Sequence, residues 1–302
     1  MNGAQRHAMG EGRWHLQHGP IDIVAEAQGE EAVVAAAHQA AWQRFASVLG
    51  ELVAELPGLR QPVGHACTLR GPIARRMWQA CAPFRPAFIT PMAAVAGAVA
   101  QELIASYDRP GITRAWVNNG GDIALHLAAG QSTRVGLLAD LARFDPRTLG
   151  ALSTDAQFEV QAAHGVRGIA TSGWRGRSFS LGIADSVTVL AATAAEADAA
   201  ATVVANAVDV PDGAIVRRPA SALKDDSDLG DIPVTVGVPA LAPQQVRRAL
   251  ESGAARARAL QRAGRVWSVL LVCQGQWERV EPLCSQPGPA AAQGLAVGSV
   301  FA

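Results

Sequence analysis

The sequence predicts an α+β layered fold, and three observations carry that expectation. Strand-like runs cluster in the middle of the chain, runs with helical apolar spacing lie on either side of them, and no internal repeat or clear linker interrupts the order. With 302 residues, 49% of them hydrophobic, the chain can bury a sizeable core. Aromatics are scarce and alanine is abundant, which suits helices and sheets packed at close range.

Each element has its own signal. RWHLQ and IDIVAEA, between Arg13 and Ala27, form a hairpin with Gly19-Pro20 as its turn. From Glu30 to about Leu56 the apolar spacing is helical, and Pro57-Gly58 stops it. A shorter helix spans about Ile73 to Cys81. Another starts at Thr90-Pro91, a hydroxyl cap followed by proline at the first helical position, and runs to about Tyr107. The period then changes, and TRAWVNN, DIALHLAA, TRVGLLAD, FEVQAA, VRGIA and SVTVLAA read as successive strands. A helix from Ala194 to about Val208 follows, with Thr193 and Glu196 fitting the capping box. Beyond an acidic loop come the strand PVTVGV, a helix from about Pro243 to Ala263, and the apolar strand RVWSVLLVCQ. The tail from Pro282 to Ala302 is rich in Pro, Gly, Ala and Ser and is expected to be flexible.

Bulk properties exclude several function classes. A formal net charge of zero gives no argument for nucleic acid or an anionic membrane surface. Lys224 is the only lysine and lies in the acidic stretch KDDSDLGD, so Schiff-base chemistry is set aside. The four cysteines, Cys67, Cys81, Cys273 and Cys284, are widely spaced with no C-x-x-C pair, which fits a reducing cytosol better than a disulfide framework or structural zinc. The N-terminal stretch lacks the apolar core of a signal peptide, and no apolar run reaches the ~18 residues of a membrane span. A cytoplasmic protein is the expectation.

The residues that carry chemistry lie between Ile89 and Thr202. Asp198 and Thr202, four apart on a helix, share a face and offer a carboxylate and a hydroxyl, hard oxygens suited to Mg²⁺. The alternative is a solvated Asp with a Thr bonding back to its own helix. Asn118-Asn119-Gly120-Gly121-Asp122 is a tight turn between strands, and its paired glycines would also let backbone N–H groups approach a phosphate. Thr171-Ser172-Gly173 follows a short strand and would present two hydroxyls to a bound group. A nucleophilic Ser172 is disfavoured, because A-T-S-G-W is not the G-x-S-x-G elbow. Arg175 and Arg177 either pair with phosphates or are ordinary exposed arginines. Trp174 or Phe179 would stack on a flat ring. The helix start at Thr90-Pro91 is a further phosphate candidate. His15 and His18, three apart on a strand, point to opposite faces and make a poor chelate. The acidic loop is expected to be a solvated turn.

Taken in order, ITPMAAVAGAVAQEL, NNGGDI, ATSGWRGR, SVTVLA and ADAAAT resemble the ApbE superfamily, over much of the stretch from about Ile89 to Val208. The resemblance implies a single domain over 1–281, a mainly antiparallel sheet flanked by helices, and Mg²⁺-dependent flavin chemistry. In that chemistry FAD is split and its FMN part is attached to a threonine of a target protein. The family's A-D-x-x-x-T motif places metal ligands on Asp198 and Thr202. A backbone carbonyl supplies a further ligand, best placed at Ala93. Asn119, Gly120, Gly121, Thr171, Ser172, Gly173, Trp174 and Arg177 would hold FAD or FMN, and Asp122 or Asp185 would serve as general base. Departures accompany the match. The family's A-K-G lysine falls on Ala96, its tyrosine after T-S-G falls on Arg175, and its His-x-x-Asp-Pro segment is missing, with only SFSLGIAD in its place. Those losses keep open a binding module that has given up the chemistry, or a different reaction on a small cyclic metabolite. A phosphate-bearing small molecule is the expected partner, with a protein acceptor and a homo-oligomer left open.

Overall fold

In the computed structural model, which describes residues 3–10, 12–137 and 156–283, the chain opens with β1 (Gln5–Gly10), β2 (Arg13–His18) and β3 (Ile21–Gly29). Helices α1 (Glu31–Ala54), α2 (Leu56–Leu59), α3 (Pro72–Cys81) and α4 (Val95–Ile104) follow. Then come β4 (Ile112–Asn119), β5 (Asp122–Leu127), β6 (Ser132–Leu137), β7 (Ala156–Gln161), β8 (Gly168–Ser172), β9 (Ser186–Ala191) and α5 (Ala194–Ala207). The chain continues through β10 (Val216–Pro219), β11 (Pro233–Gly237), α6 (Pro243–Arg262), β12 (Ser268–Cys273) and β13 (Gln276–Val280). The end of TRVGLLAD and the tail from Cys284 onward lie outside the described residues.

Nine strands form one sheet in the order β1-β2-β3-β4-β5-β8-β9-β12-β13, and every neighbouring pair is antiparallel. The two ribbons β6–β7 and β10–β11 are separate sheets. Alternation divides the strands cleanly. Val117, Ala124, Ala170, Val187, Val189 and Leu271 join the helices in the larger core. Ile123, Leu125, Ile169, Leu190 and Leu270 face the other way, onto Val135, Phe158 and Val160 of the β6–β7 ribbon. Among the described residues the long helices cover one face of this mainly antiparallel sheet, as expected of a sheet flanked by helices, and the β6–β7 ribbon covers part of the other.

Several boundaries differ from the sequence expectation for local reasons. The first long helix ends at Ala54, before Pro57-Gly58, which sits inside the separate short helix α2. The run from Thr90 starts as a 3₁₀ turn (Pro91–Ala94) and becomes α-helical only at Val95. Thr90 gives no side-chain cap; its hydroxyl donates instead to Asp228 of the acidic loop. Half of the capping box at α5 forms: Thr193 accepts from the Glu196 N–H at 3.3 Å, while the Glu196 carboxylate accepts from the Thr193 hydroxyl and not from its backbone N–H. The alanine-rich face of α5 explains how tightly the layers meet. Eight of its residues are buried, and a Cβ on Gly97 of α4 would lie 2.2 Å from the Ala194 carbonyl oxygen. Glycine is required there because the two helices touch through backbone.

Candidate functional site

The site forms where the β4–β5 turn meets the facing starts of α4 and α5. Asp122 opens β5 and alternates with Ile123, so its side chain points to the helix face and is buried. Its Oδ1 accepts from the Thr171 N–H of β8 at 3.1 Å. Asp198 projects from α5 toward the same place and is half-buried. The Gly97 N–H donates to its Oδ2 at 2.9 Å, and the Ala96 N–H also bonds the carboxylate. The Asn119 side-chain amide donates to the Ala96 carbonyl at 3.1 Å. One junction of α4 thus holds both the β4 end and the α5 carboxylate.

Two carboxylates brought together away from water repel each other. Burial pushes Asp122 up to about 7, against the smaller lowering effects of the Thr171 N–H and the Arg177 charge. Burial raises Asp198 well above the usual carboxylate range, the charge of Asp122 raises it further, and the two α4 N–H groups oppose this. Cys81 of α3 is fully buried nearby, and burial together with the charge of Asp198 pushes its thiol up, so it stays protonated and non-nucleophilic.

The neutral oxygens complete the picture. Thr202, one turn on from Asp198, is half-buried, and its hydroxyl makes no hydrogen bond among the described residues, so it does not bond back to its own helix. Because α4 begins at Val95, the Ala93 carbonyl stands outside the α-helical ladder. The Gly97 N–H, which a longer helix would send to Ala93, goes to Asp198. This donor set of two carboxylates with a hydroxyl and a carbonyl fits Mg²⁺, which takes few protein oxygens and retains waters or phosphate oxygens. Among the described residues no cluster of three or more His, Cys, Asp or Glu side chains could hold a metal.

The glycine turn lies at the mouth. Gly120 and Gly121 both have positive φ, +65° and +111°, and the Gly121 N–H donates to Asn118 Oδ1 at 2.8 Å. The guanidinium of Arg177 rests on Gly120, where an added Cβ would lie 1.8 Å from Nη2. Arg177 is exposed, so its guanidinium faces solvent beside the turn.

The remaining predicted residues are placed differently from the sequence expectation. Thr171 and Ser172 are still part of β8, so they face opposite sides of the sheet rather than presenting two hydroxyls together. Ser172 shares the helix face with Ala170, while Thr171 shares the other face with Thr188, its hydroxyl partner at 2.9 Å. Gly173 is needed where the chain leaves β8, since a Cβ would sit 2.4 Å from the Asp185 carbonyl. Asp185, immediately before β9, is engaged by other groups. Its Oδ1 lies 3.2 Å from Arg175 Nε and its Oδ2 accepts from the Gln274 N–H. Only β8 lies between β5 and the start of β9 that follows Asp185, and two strand steps of ~4.8 Å keep the two candidate bases out of contact. Arg175 also lies 5.2 Å above the Trp174 ring, so that ring carries a cation on one face. The start at Thr90-Pro91 is a poor phosphate site, because the Asp228 carboxylate is bonded to Thr90. The acidic loop is tied down by this contact, by Arg60–Asp226 at 2.6 Å and by Ser221–Asp231 at 2.6 Å, and is not merely solvated.

Sequence reasoning missed the two α4 N–H groups that grip Asp198. Their only trace was the Ala96-Gly97 dipeptide beside a helix start.

The family described as AbpE bacteria matches residues 4–279. A UPF0280 protein of Methanopyrus kandleri is 37% identical over 201 residues, 65% of this chain and 75% of its own length. UPF0280 proteins of Methanospirillum hungatei and Methanothermobacter thermautotrophicus are 37% and 38% identical over 43% and 47% of this chain, and the chain spans about half of each. The crystal structure of an ApbE protein from Thermotoga maritima aligns with 92% of this chain and 97% of its own, at 15% identity and a TM-score of 0.37. No helix among the described residues is long and apolar enough to cross a membrane. With the family match running over nearly its whole length, the chain belongs to the ApbE family.

Proposed function

We propose that this chain binds a flavin nucleotide with Mg²⁺ at the Asp122–Asp198 junction and cleaves it between its two phosphates. The observation that carries the reading is a buried carboxylate, Asp122, whose charge raises the half-buried Asp198 beside it, next to a hydroxyl and a carbonyl left out of helix bonding. Such a pair is relieved by a cation. Asp198, Thr202 and Ala93 would hold the ion, and Mg²⁺, when bound, supplies Lewis-acid polarisation of the phosphoryl oxygens. Arg177 on Gly120 would meet the remaining phosphate charge, and the open face of Trp174 would support the ring. Asp122, with its proton affinity lifted to about 7, matches the requirement for a general base at neutral pH. It would take the proton of a water or of an acceptor threonine as that oxygen bonds to the FMN phosphorus. The bond from that phosphorus to the bridging oxygen breaks, and AMP leaves carrying that oxygen.

Incubation of the purified protein with FAD and Mg²⁺ tests this reading by AMP release. The expected outcome is Mg²⁺-dependent AMP that is lost in Asp198→Ala and strongly reduced in Asp122→Asn. No turnover of FAD by folded protein would reject the chemistry. A second reading, binding without cleavage, is favoured by the engagement of Asp185 with Arg175 and Gln274, which leaves Asp122 as the sole proposed base. Mg²⁺-dependent FAD binding without AMP would select it.

A further inference from the structure

A cavity of about 590 Å³ lies at the other end of the strands from Asp122 and Asp198. Along β3, Ile23 pairs with Asn119 at the site end, and Gly29 pairs with Ile112 at the cavity end. The walls are Trp14 of β2, Gly29 of β3, and Val34, His38 and Gln39 of α1, with Arg6 of β1. None of these residues belongs to the site proposed above.

Three features point to a ligand there. His38 is 9% exposed; its Nδ1 shares a 2.8 Å hydrogen bond with the Tyr107 hydroxyl, and its buried Nε2 makes no well-formed hydrogen bond among the described residues, with only the Gly12 backbone close enough to raise its proton affinity. An unmet polar atom at that depth is costly and calls for a reason. Arg6 lies over the rings of Trp14 and Trp42, at 5.2 and 5.3 Å from their centroids, and gives one hydrogen bond to Gln39 Oε1 at 2.8 Å. The guanidinium is therefore held in place with most of its fork uncommitted. Finally, the 24-residue helix α1 begins here with no side-chain cap on its first N–H groups, at the positive end of its dipole. Glu31, in the same turn, also lines the cavity and carries the opposing charge, but it is exposed to water.

We propose that this cavity binds a small organic acid with a flat apolar body. Its carboxylate would take the free donors of Arg6, its ring would lie along Trp14 and Val34, and a polar edge would meet His38 Nε2. The volume falls within the ~300–1,000 Å³ range of small-molecule sites. An inorganic anion would leave the apolar wall unused, and a neutral ring would leave Arg6 unmatched.

The test uses benzoate as the probe, with acetate and benzyl alcohol as the acid and ring controls, read by NMR of the His38 imidazole in ¹⁵N-labelled protein. Benzoate is expected to shift the His38 signals saturably. The two controls, and benzoate with Arg6→Gln, should bind about tenfold or more weakly, the loss expected for one charge-assisted contact. Ala35→Glu, at an exposed helical position on the same wall, should abolish the response and serves if Arg6→Gln alters the fold. No saturable shift with benzoate overturns the proposal. So does benzyl alcohol binding as tightly, or a benzoate response that survives both substitutions.

Discussion

Asp122 is the residue at which sequence and chemistry meet most closely. Its carboxylate is buried at the first position of β5 and faces a second acid, so its ionisation above pH 7 costs stability. The sign follows from the direction of the shift. The folded state holds the proton more tightly than the unfolded chain does, so stability falls as pH rises from about 4 to about 7 and then levels off. Asp122→Asn should accordingly stabilise the metal-free protein at pH 8, by as much as roughly 4 kcal/mol, since each tenfold in proton affinity is worth about 1.4 kcal/mol. It should change little at pH 4. Urea unfolding at both pH values in EDTA checks this, and equal effects at the two pH values would contradict it. Gly120 gives a second prediction at this scale. Gly120→Ala must adopt a positive φ and must also push Arg177 from its seat. We expect about 1 kcal/mol of destabilisation, together with an FAD affinity close to that of Arg177→Ala, measured by calorimetry. The sequence showed Asp198, Thr202 and the glycine pair because spacing on one helix and one turn fixes their neighbours. It did not show that Asp198 faces Asp122, because that contact joins residues 76 positions apart through packing alone.

At the scale of elements, the approach of α4 to α5 sets the site. Gly97→Ala places a methyl group against the Ala194 carbonyl at 2.2 Å and against Asp198 Cβ at 2.9 Å, so the helices must part. Overpacking of this kind costs about 1–3 kcal/mol. It should also take the Gly97 N–H from Asp198 and weaken Mg²⁺ binding more than the stability loss alone explains. Thr193→Ala removes the cap of α5 and should cost about 1 kcal/mol without that excess effect on metal. Thermal unfolding with and without Mg²⁺ separates the two variants. The start of α5 was legible because a Thr-x-x-Glu pattern is local. The delayed start of α4 was not, because Thr90-Pro91 reads as an ordinary helix opening. Only the tertiary contact to Asp228 and the diversion of the Gly97 N–H explain the 3₁₀ turn. Strand β1 was missed for a different reason: all six of its residues are exposed, so it has no apolar alternation to read.

For the whole molecule, a single sheet with helices on one face brings the turn after β4, the end of β8 and the starts of α4 and α5 to one end. The layered α+β character followed from the grouping of strands. The strand order did not, because β5 pairs with β8 past the β6–β7 ribbon, and β9 pairs with β12 past β10, β11 and α6. The central claim is that this end of the sheet is a divalent-cation site that recruits a nucleotide. Calorimetric titration of FAD into the native protein and into Asp198→Ala, each with Mg²⁺ and with EDTA, tests it most directly. The account predicts that Mg²⁺ tightens FAD binding to the native protein by about tenfold or more and that Asp198→Ala removes this gain. FAD affinity that is the same with Mg²⁺ and with EDTA, in native protein and folded variant alike, would contradict it.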